Sequence, residues 1–103
     1  YVATASFPRE ELYGLTTPIR RAAASIPANI AEGHGRERTR SFIQFLRIAQ
    51  GSLNELETHL FLAERVNILA TDQLNETLEK CGSLGKKLRA LIRSLQDKIG
   101  REE

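Results

Sequence analysis

The sequence predicts an all-α fold of long amphipathic helices, and three observations predict it. Apolar residues recur at alternating spacings of four and three through three separate segments, the period of an amphipathic helix with a heptad seam. No strand-like alternation or low-complexity run interrupts them. Start and stop signals fall between the segments: Thr17-Pro18, Gly33 with Gly35, and Thr71-Asp72.

Taken in order, residues 1–6 read as the tail of an earlier helix. The chain has no Met and opens on Tyr1-Val2-Ala3, so Tyr1 is expected to begin a fragment, an N-terminally incomplete single domain over 1–103. Pro8–Tyr13 reads as a short helical turn. Ile19, Ala23, Ile26 and Ile30 then place a helix over about 16–33, capped at Thr17, kinked at Pro27 and stopped by Gly33 and Gly35. Phe42, Leu46, Ala49, Leu53, Leu56, Leu60 and Ala63 place the next over about 40–67, with Thr39 or Ser41 as cap and Ser41-Gln44 as a capping box. A second stripe on that helix, Phe45, Ile48, Leu62, Val66 and Leu69 with a polar middle at Ser52, Glu55 and His59, exceeds what a monomer buries and predicts an oligomer interface. Leu74, Leu78, Cys81, Gly85, Leu88, Ile92, Leu95 and Ile99 place the last helix over about 72–99, where Gly82 and Gly85 suggest close backbone approach to a neighbour.

Composition narrows the class. The 103 residues are 41% hydrophobic and 27% charged, which suits one small globular domain and excludes a disordered chain. A single Cys81 permits no internal disulfide and no Cys/His zinc framework. No apolar run approaches the roughly 20 residues needed to span a bilayer, so a cytoplasmic protein without membrane contact is expected. The net charge of +2 conceals a segregation. Residues 20–47 carry six Arg against two acids, 48–79 six acids against one Arg, and 80–101 seven bases against Asp97.

The run Ile19-Arg20-Arg21-Ala22-Ala23 and the motif Ser25-Ile26-Pro27-Ala28-Asn29-Ile30-Ala31-Glu32-Gly33 resemble the four-helix-bundle proteins of the 23S rRNA intervening-sequence family. Phe42–Ala49 and Gly51–Thr58 match the same pattern, and the resemblance covers essentially the whole chain. One departure is Arg38-Thr39-Arg40-Ser41, where the family usually has Ser-Lys-Lys-Glu. The resemblance implies an up-and-down four-helix bundle, most of whose first helix lies before this sequence and ends around Tyr1–Ser6, assembled as a homopentamer. A related branch, the accessory variability protein of retroelements, binds nucleic acid and a reverse transcriptase, which makes such an enzyme a possible partner.

Arg36, Arg38 and Arg40 crowd positive charge at a helix N-terminus, against the macrodipole, and a phosphate partner would resolve that conflict. Lys86, Arg89 and Arg93 fall within about 60° of arc on one flank of the last helix, with Lys87 and Lys98 on the other. Arg20 and Arg21 either bind phosphate or pair with Glu55, Glu57 and Glu64. In each case the alternative is a solvated basic surface that pairs within or between subunits. Ser25, Pro27, Asn29, Glu32 and Gly33 read as a structural motif around a carbonyl that Pro27 frees at Ala23. His34, His59 and Cys81 fit no metal site, and no triad-like set is visible, so no catalytic residue, metal or cofactor is expected. The expected function is a non-enzymatic oligomeric bundle that binds RNA or DNA through basic surfaces without sequence readout. The alternative is a protein–protein adaptor or assembly scaffold.

Overall fold

The structure, a computed structural model, describes residues 3–102. Three long helices dominate it: α1 Thr17–His34, α2 Thr39–Arg65 and α3 Thr71–Glu102. Among the described residues there is no strand. Of the stretch expected to end an earlier helix, Tyr1 and Val2 lie outside the described residues and residues 3–6 form turns, closed by Phe7 N–H donating to the Thr4 carbonyl at 3.0 Å. The expected turn at Pro8–Tyr13 is present as a 3-10 turn, Arg9–Glu11, running into a π-turn, Leu12–Thr16.

That π-turn changes how α1 begins. Thr16, the residue before α1, already has helical dihedrals (φ −60°, ψ −52°) and makes no side-chain cap. Thr17, expected to cap, therefore lies inside a continuous helical path that needs none, and Pro18 sits in the first turn where its missing N–H costs nothing. The helix continues through Pro27 to His34.

α2 also starts without the expected cap. Arg38 is the extended residue before it (φ −96°, ψ 129°), while Thr39 and Ser41 are already helical and no side chain caps the first turn. α2 ends at Arg65, short of the expected 67, because Asn67 turns into the left-handed region at φ 62°. Ile68 and Leu69 then both donate to the Ala63 carbonyl, at 2.9 and 3.1 Å, and the buried Leu69 folds back on the helix. α3 begins where Leu74 N–H meets the Ala70 carbonyl at 2.9 Å. Thr71, the expected cap, instead donates its hydroxyl to Glu64 at 2.9 Å, which ties the two helix ends together.

The heptad seams close on one core. Six of the seven α2 seam residues are buried, all but Phe42, and Leu46 and Leu60 are sealed most completely. Truncating a leucine in such a position costs about 2–5 kcal/mol, because a cavity adds to the lost transfer energy. α2 packs against both α1 and α3, which touch each other only slightly, so the molecule is a flat plate of 52 × 22 × 16 Å. The half-buried Ala23 and Ile30 of α1 and Leu84 and Leu95 of α3 pack against the edge of this core.

The glycines divide by role. Gly33 was expected to stop a helix, yet it lies inside α1 where α2 comes close. A Cβ there would stand 2.7 Å from Phe45 Cβ and 2.9 Å from Phe42 Cδ1. Gly85 meets Leu53 across the α2–α3 contact, but only at ordinary van der Waals distance, 3.5 Å from where a Cβ would stand, looser than the close backbone approach expected. Gly82 departs from that expectation: nothing lies within 4 Å of its missing side chain, although a helix-interior glycine costs about 1 kcal/mol relative to Ala.

Candidate nucleic-acid interface

The α1–α2 connection is built from helix-end hydrogen bonds. Gly35 N–H donates to the Ala31 carbonyl at 3.2 Å, Arg36 N–H to Gly33 at 3.1 Å, and Phe42 N–H to Arg38 at 3.1 Å. This turn fixes three expected cations in different roles. Arg36 reaches back one helical turn to Glu32, Nη2 to Oε1 at 2.6 Å, and its guanidinium lies 5.0 Å from the Phe45 ring centroid. His34 meets Phe42 edge-on at 5.9 Å on the same side. Arg36 is thus engaged inside the chain. Its positive charge is matched locally, and its exposure keeps the pair worth only about 0.2–1 kcal/mol.

Arg38 and Arg40 belong to a different surface. Together with Ser41, Ile43 and Gln44 they border an open groove of about 430 Å³, whose far side is Gln96 and Ile99 near the end of α3. A second groove of similar size shares Arg38, Arg40 and Ile99 and adds Glu37, Thr39 and Glu102. The antiparallel α2–α3 pairing therefore brings the start of α2 beside the basic half of α3. The uncapped first turn of α2 opens at the same place, adding backbone N–H donors to the positive field.

On α3, Lys86, Arg89 and Arg93 are exposed along one flank. Arg89 lies against the helix over Gly85: its Nη1 is 3.3 Å from where a Cβ at Gly85 would stand, so that glycine gives the guanidinium room. Lys87 is exposed about 100° around the helix from Lys86, on the opposite flank with Lys98, and does not share this surface. Arg47 does share it. It is exposed and stands seven residues after Arg40, in the same stripe of α2; that spacing was available in the sequence and was passed over.

The remaining expected residues lie elsewhere. Arg20 donates from Nε to Thr4 Oγ1 at 2.9 Å, anchoring the N-terminal turn on α1, and Arg21 is exposed on α1. Ser25, Asn29 and Ser52 form a polar link between α1 and α2. The two serine hydroxyls are 2.8 Å apart, and Asn29 Nδ2 donates to both the carbonyl and the hydroxyl of Ser25 at 2.8 and 2.9 Å. Sequence reasoning placed Ser25 and Asn29 in a structural motif but missed Ser52, which is buried in the polar middle of the second α2 stripe. His59 Nε2 stands 3.6 Å from Glu55 Oε1, and its Nδ1 is buried without a hydrogen-bond partner. Cys81 is buried, and burial first, then the nearby Glu57 carboxylate, pushes its thiol pKa above the ordinary 9.0, so it is a poor nucleophile. Among the described residues no group of His, Cys, Asp and Glu is placed to hold a metal. No described helix is long and apolar enough to cross a membrane.

Against curated proteins the chain finds no match. Against protein families it matches the 23S rRNA-intervening sequence proteins over residues 1–90, the span that holds the Pro27 motif, all of α1 and α2 and the first basic residues of α3. The chain belongs to the 23S rRNA-intervening sequence protein family.

Proposed function

We propose that this chain is a non-enzymatic, oligomeric helical bundle of the cytoplasm that binds the phosphate backbone of RNA or DNA without reading sequence. The observation that carries this reading is the gathering of Arg38, Arg40 and Arg47 of α2 with Lys86, Arg89 and Arg93 of α3 on one side of the α2–α3 layer. From Lys86 to Arg93 no acid interrupts the stripe. Cations held on a rigid helical surface gain affinity by releasing counterions from a polyanion, and they carry no base information. The aromatic residues between Arg40 and Arg47, Phe42 and Phe45, are half-buried against Gly33 of α1, which favours backbone binding over base stacking. Because α1 and α3 make few contacts with each other, the packing is compatible with a fourth helix between them. The family resemblance implies that helix, a homopentamer, and a nucleic-acid enzyme such as a reverse transcriptase as a partner.

The test is binding to labelled RNA and DNA at about 50 and 200 mM salt. It compares wild type with a variant neutralised at Arg38, Arg40, Lys86, Arg89 and Arg93. Steeply salt-dependent binding that the variant loses supports the proposal. Binding no tighter than that of the variant rejects it.

A second reading, an adaptor or assembly scaffold, is favoured by a separate observation. Ile48, Phe61 and Leu62 of α2 and Val66 just past its end expose 51%, 52%, 47% and 50% of their surface, more large apolar area than an isolated chain of this size needs outside. Light scattering bears on it directly: a monomer at all concentrations removes both the scaffold and the oligomer.

A further inference from the structure

In steps of seven residues, the outer side of the α2–α3 layer changes the sign of its charge halfway along. On α3 the stripe is Asp72, Glu79, Lys86, Arg93, and beside it run Asn75, Gly82, Arg89, Gln96. On α2 the matching stripe is Arg40, Arg47, Asn54, Phe61, and beside it run Gln50, Glu57, Glu64. The helices are antiparallel, with Leu53 against Gly85 and Glu57 close enough to Cys81 to raise its pKa. The two acidic ends therefore lie side by side, and so do the two basic ends. All the named α3 residues are exposed, as are Arg40, Arg47, Asn54 and Phe61, while Gln50, Glu57 and Glu64 are half-buried. At the sign change stands Gly82, with open space where its side chain would be.

We propose that this face docks on the same face of a second copy of this chain. The copies run antiparallel, α2 on α2 and α3 on α3, about a two-fold axis beside Gly82 and Asn54. Glu79 of one copy then faces Lys86 of the other, and Asp72 faces Arg93. The midpoint of both pairs falls between Gly82 and Ser83. On α2 the same operation leaves Asn54 on the axis and sets the half-exposed Phe61 against Arg47 of the second copy, a cation–π pair. The two midpoints lie at nearly the same height along the layer, within about two residues or ~3 Å, as one axis requires. A parallel arrangement would set acid on acid and base on base, so the charge pattern selects the antiparallel one. Gly82 meets Gly82 at the crossing, and the missing side chains let the two backbones approach. The contact lies away from Ile48, Leu62 and Val66, so it doubles whatever assembly those residues form. Its basic half is the surface proposed above for nucleic acid. Competition between a second copy and a nucleic acid rests on that reading; the docking itself does not.

The experiment measures mass by light scattering on the whole protein at about 50 and 500 mM salt, with circular dichroism to check folding. Wild type is expected at twice the mass of two charge-reversed variants, K86E/R93E and D72K/E79K, at low salt, and at their mass at high salt. Neither variant doubles alone, but a one-to-one mixture regains the doubled mass, because each reversed stripe meets its complement on the other. Gly82→Gln leaves every charge in place and loses the doubling. Equal masses for wild type and variants at low salt, or a mixture that stays undoubled, overturn the proposal. A wild type that doubles but does not bind RNA refutes the nucleic-acid reading alone. One that binds RNA but never doubles refutes this docking alone.

Discussion

Replacing Gly33 by Ala adds one methyl group where α1 and α2 come close together. Its Cβ would stand 2.7 Å from Phe45 Cβ, 2.9 Å from Phe42 Cδ1 and 3.3 Å from the Phe42 carbonyl oxygen. Phe45 Cβ and the Phe42 carbonyl are fixed to the α2 backbone and cannot swing aside, so the helices must part by several tenths of an ångström. Two effects oppose each other. Alanine gains about 1 kcal/mol over glycine in a helix interior. Overpacking a close contact costs about 1–3 kcal/mol, and a clash with two aromatic residues at once belongs at the upper end. The net expectation is a loss of about 1–2 kcal/mol, or a fall in Tm of about 4–8 °C per kcal/mol for a chain of this size. Gly82→Ala is the control. It makes the same gain in propensity with nothing within 4 Å to meet, and should stabilise by about 0.5–1 kcal/mol. Both are read from urea and thermal unfolding by far-UV circular dichroism, at about 500 mM salt so that contacts between copies do not intrude. A Gly33→Ala protein as stable as wild type would refute the reasoning, because it would mean that α1 and α2 are not held at this distance.

Four further outcomes follow from the same geometry. Ser25→Ala and Ser52→Ala should each cost about 0.5–1.5 kcal/mol, and the double variant less than their sum, since both remove one shared hydrogen bond; a double-mutant cycle in urea checks this. Cys81 should resist alkylation in the folded protein and react once urea unfolds it, by thiol labelling with mass detection. Folding raises the Cys81 pKa, so the unfolded chain releases its proton first as pH climbs past the ordinary 9.0; stability should therefore decline above about pH 9, less so in Cys81→Ala, by thermal unfolding across pH. Arg36→Ala should weaken RNA binding less than Arg93→Ala, because Arg36 is already engaged by Glu32 and Phe45. Each lost phosphate contact should flatten the salt slope by about 0.9 for a duplex, measured by a salt titration of binding.

The helices were legible because an amphipathic stripe is a property of spacing alone. The heptad runs place α1 and α3 at their true starts to within one residue, and α2 likewise. What the spacing could not supply is what the chain does just outside a helix. Thr17 looks like a cap, but the π-turn before it removes the need, and that turn is fixed by packing of the N-terminal segment, including Arg20 on Thr4, sixteen residues away. The early end of α2 depends on Asn67 adopting a positive φ, which asparagine tolerates without announcing it. Gly33 looks like a helix stop because its neighbour Gly35 is one; only the fold puts two phenylalanines against it. Of the candidate site, the cations were legible one segment at a time, and the antiparallel pairing then joined two segments and set Lys87 apart. Glu32 and Arg36 are four residues apart on one helix turn, so that pair could have been foreseen; the engagement of Arg20 could not.

The arrangement of charge within the plate argues that the chain is shaped by what it binds. In a helical hairpin, stability is best served by placing the acids of one helix beside the bases of the next. Here the antiparallel turn does the reverse: Glu57 and Glu64 at the end of α2 neighbour Asp72, Glu76 and Glu79 at the start of α3, while Arg40 and Arg47 neighbour the bases from Lys86 on. The ion pairs Arg36–Glu32 and Lys80–Glu76 and the His59–Glu55 contact each run along a single helix, four residues apart. Exposed like charges cost little each, but the cost recurs along the whole face and is screened by salt. Each half of such a face complements a partner of opposite charge. For the acidic half that is a cationic surface, and for the basic half a polyanion or the acidic half of another copy. Both the nucleic-acid reading and the two-fold contact draw on this one asymmetry, and in both the +2 total is the residue of two opposed surfaces that work separately.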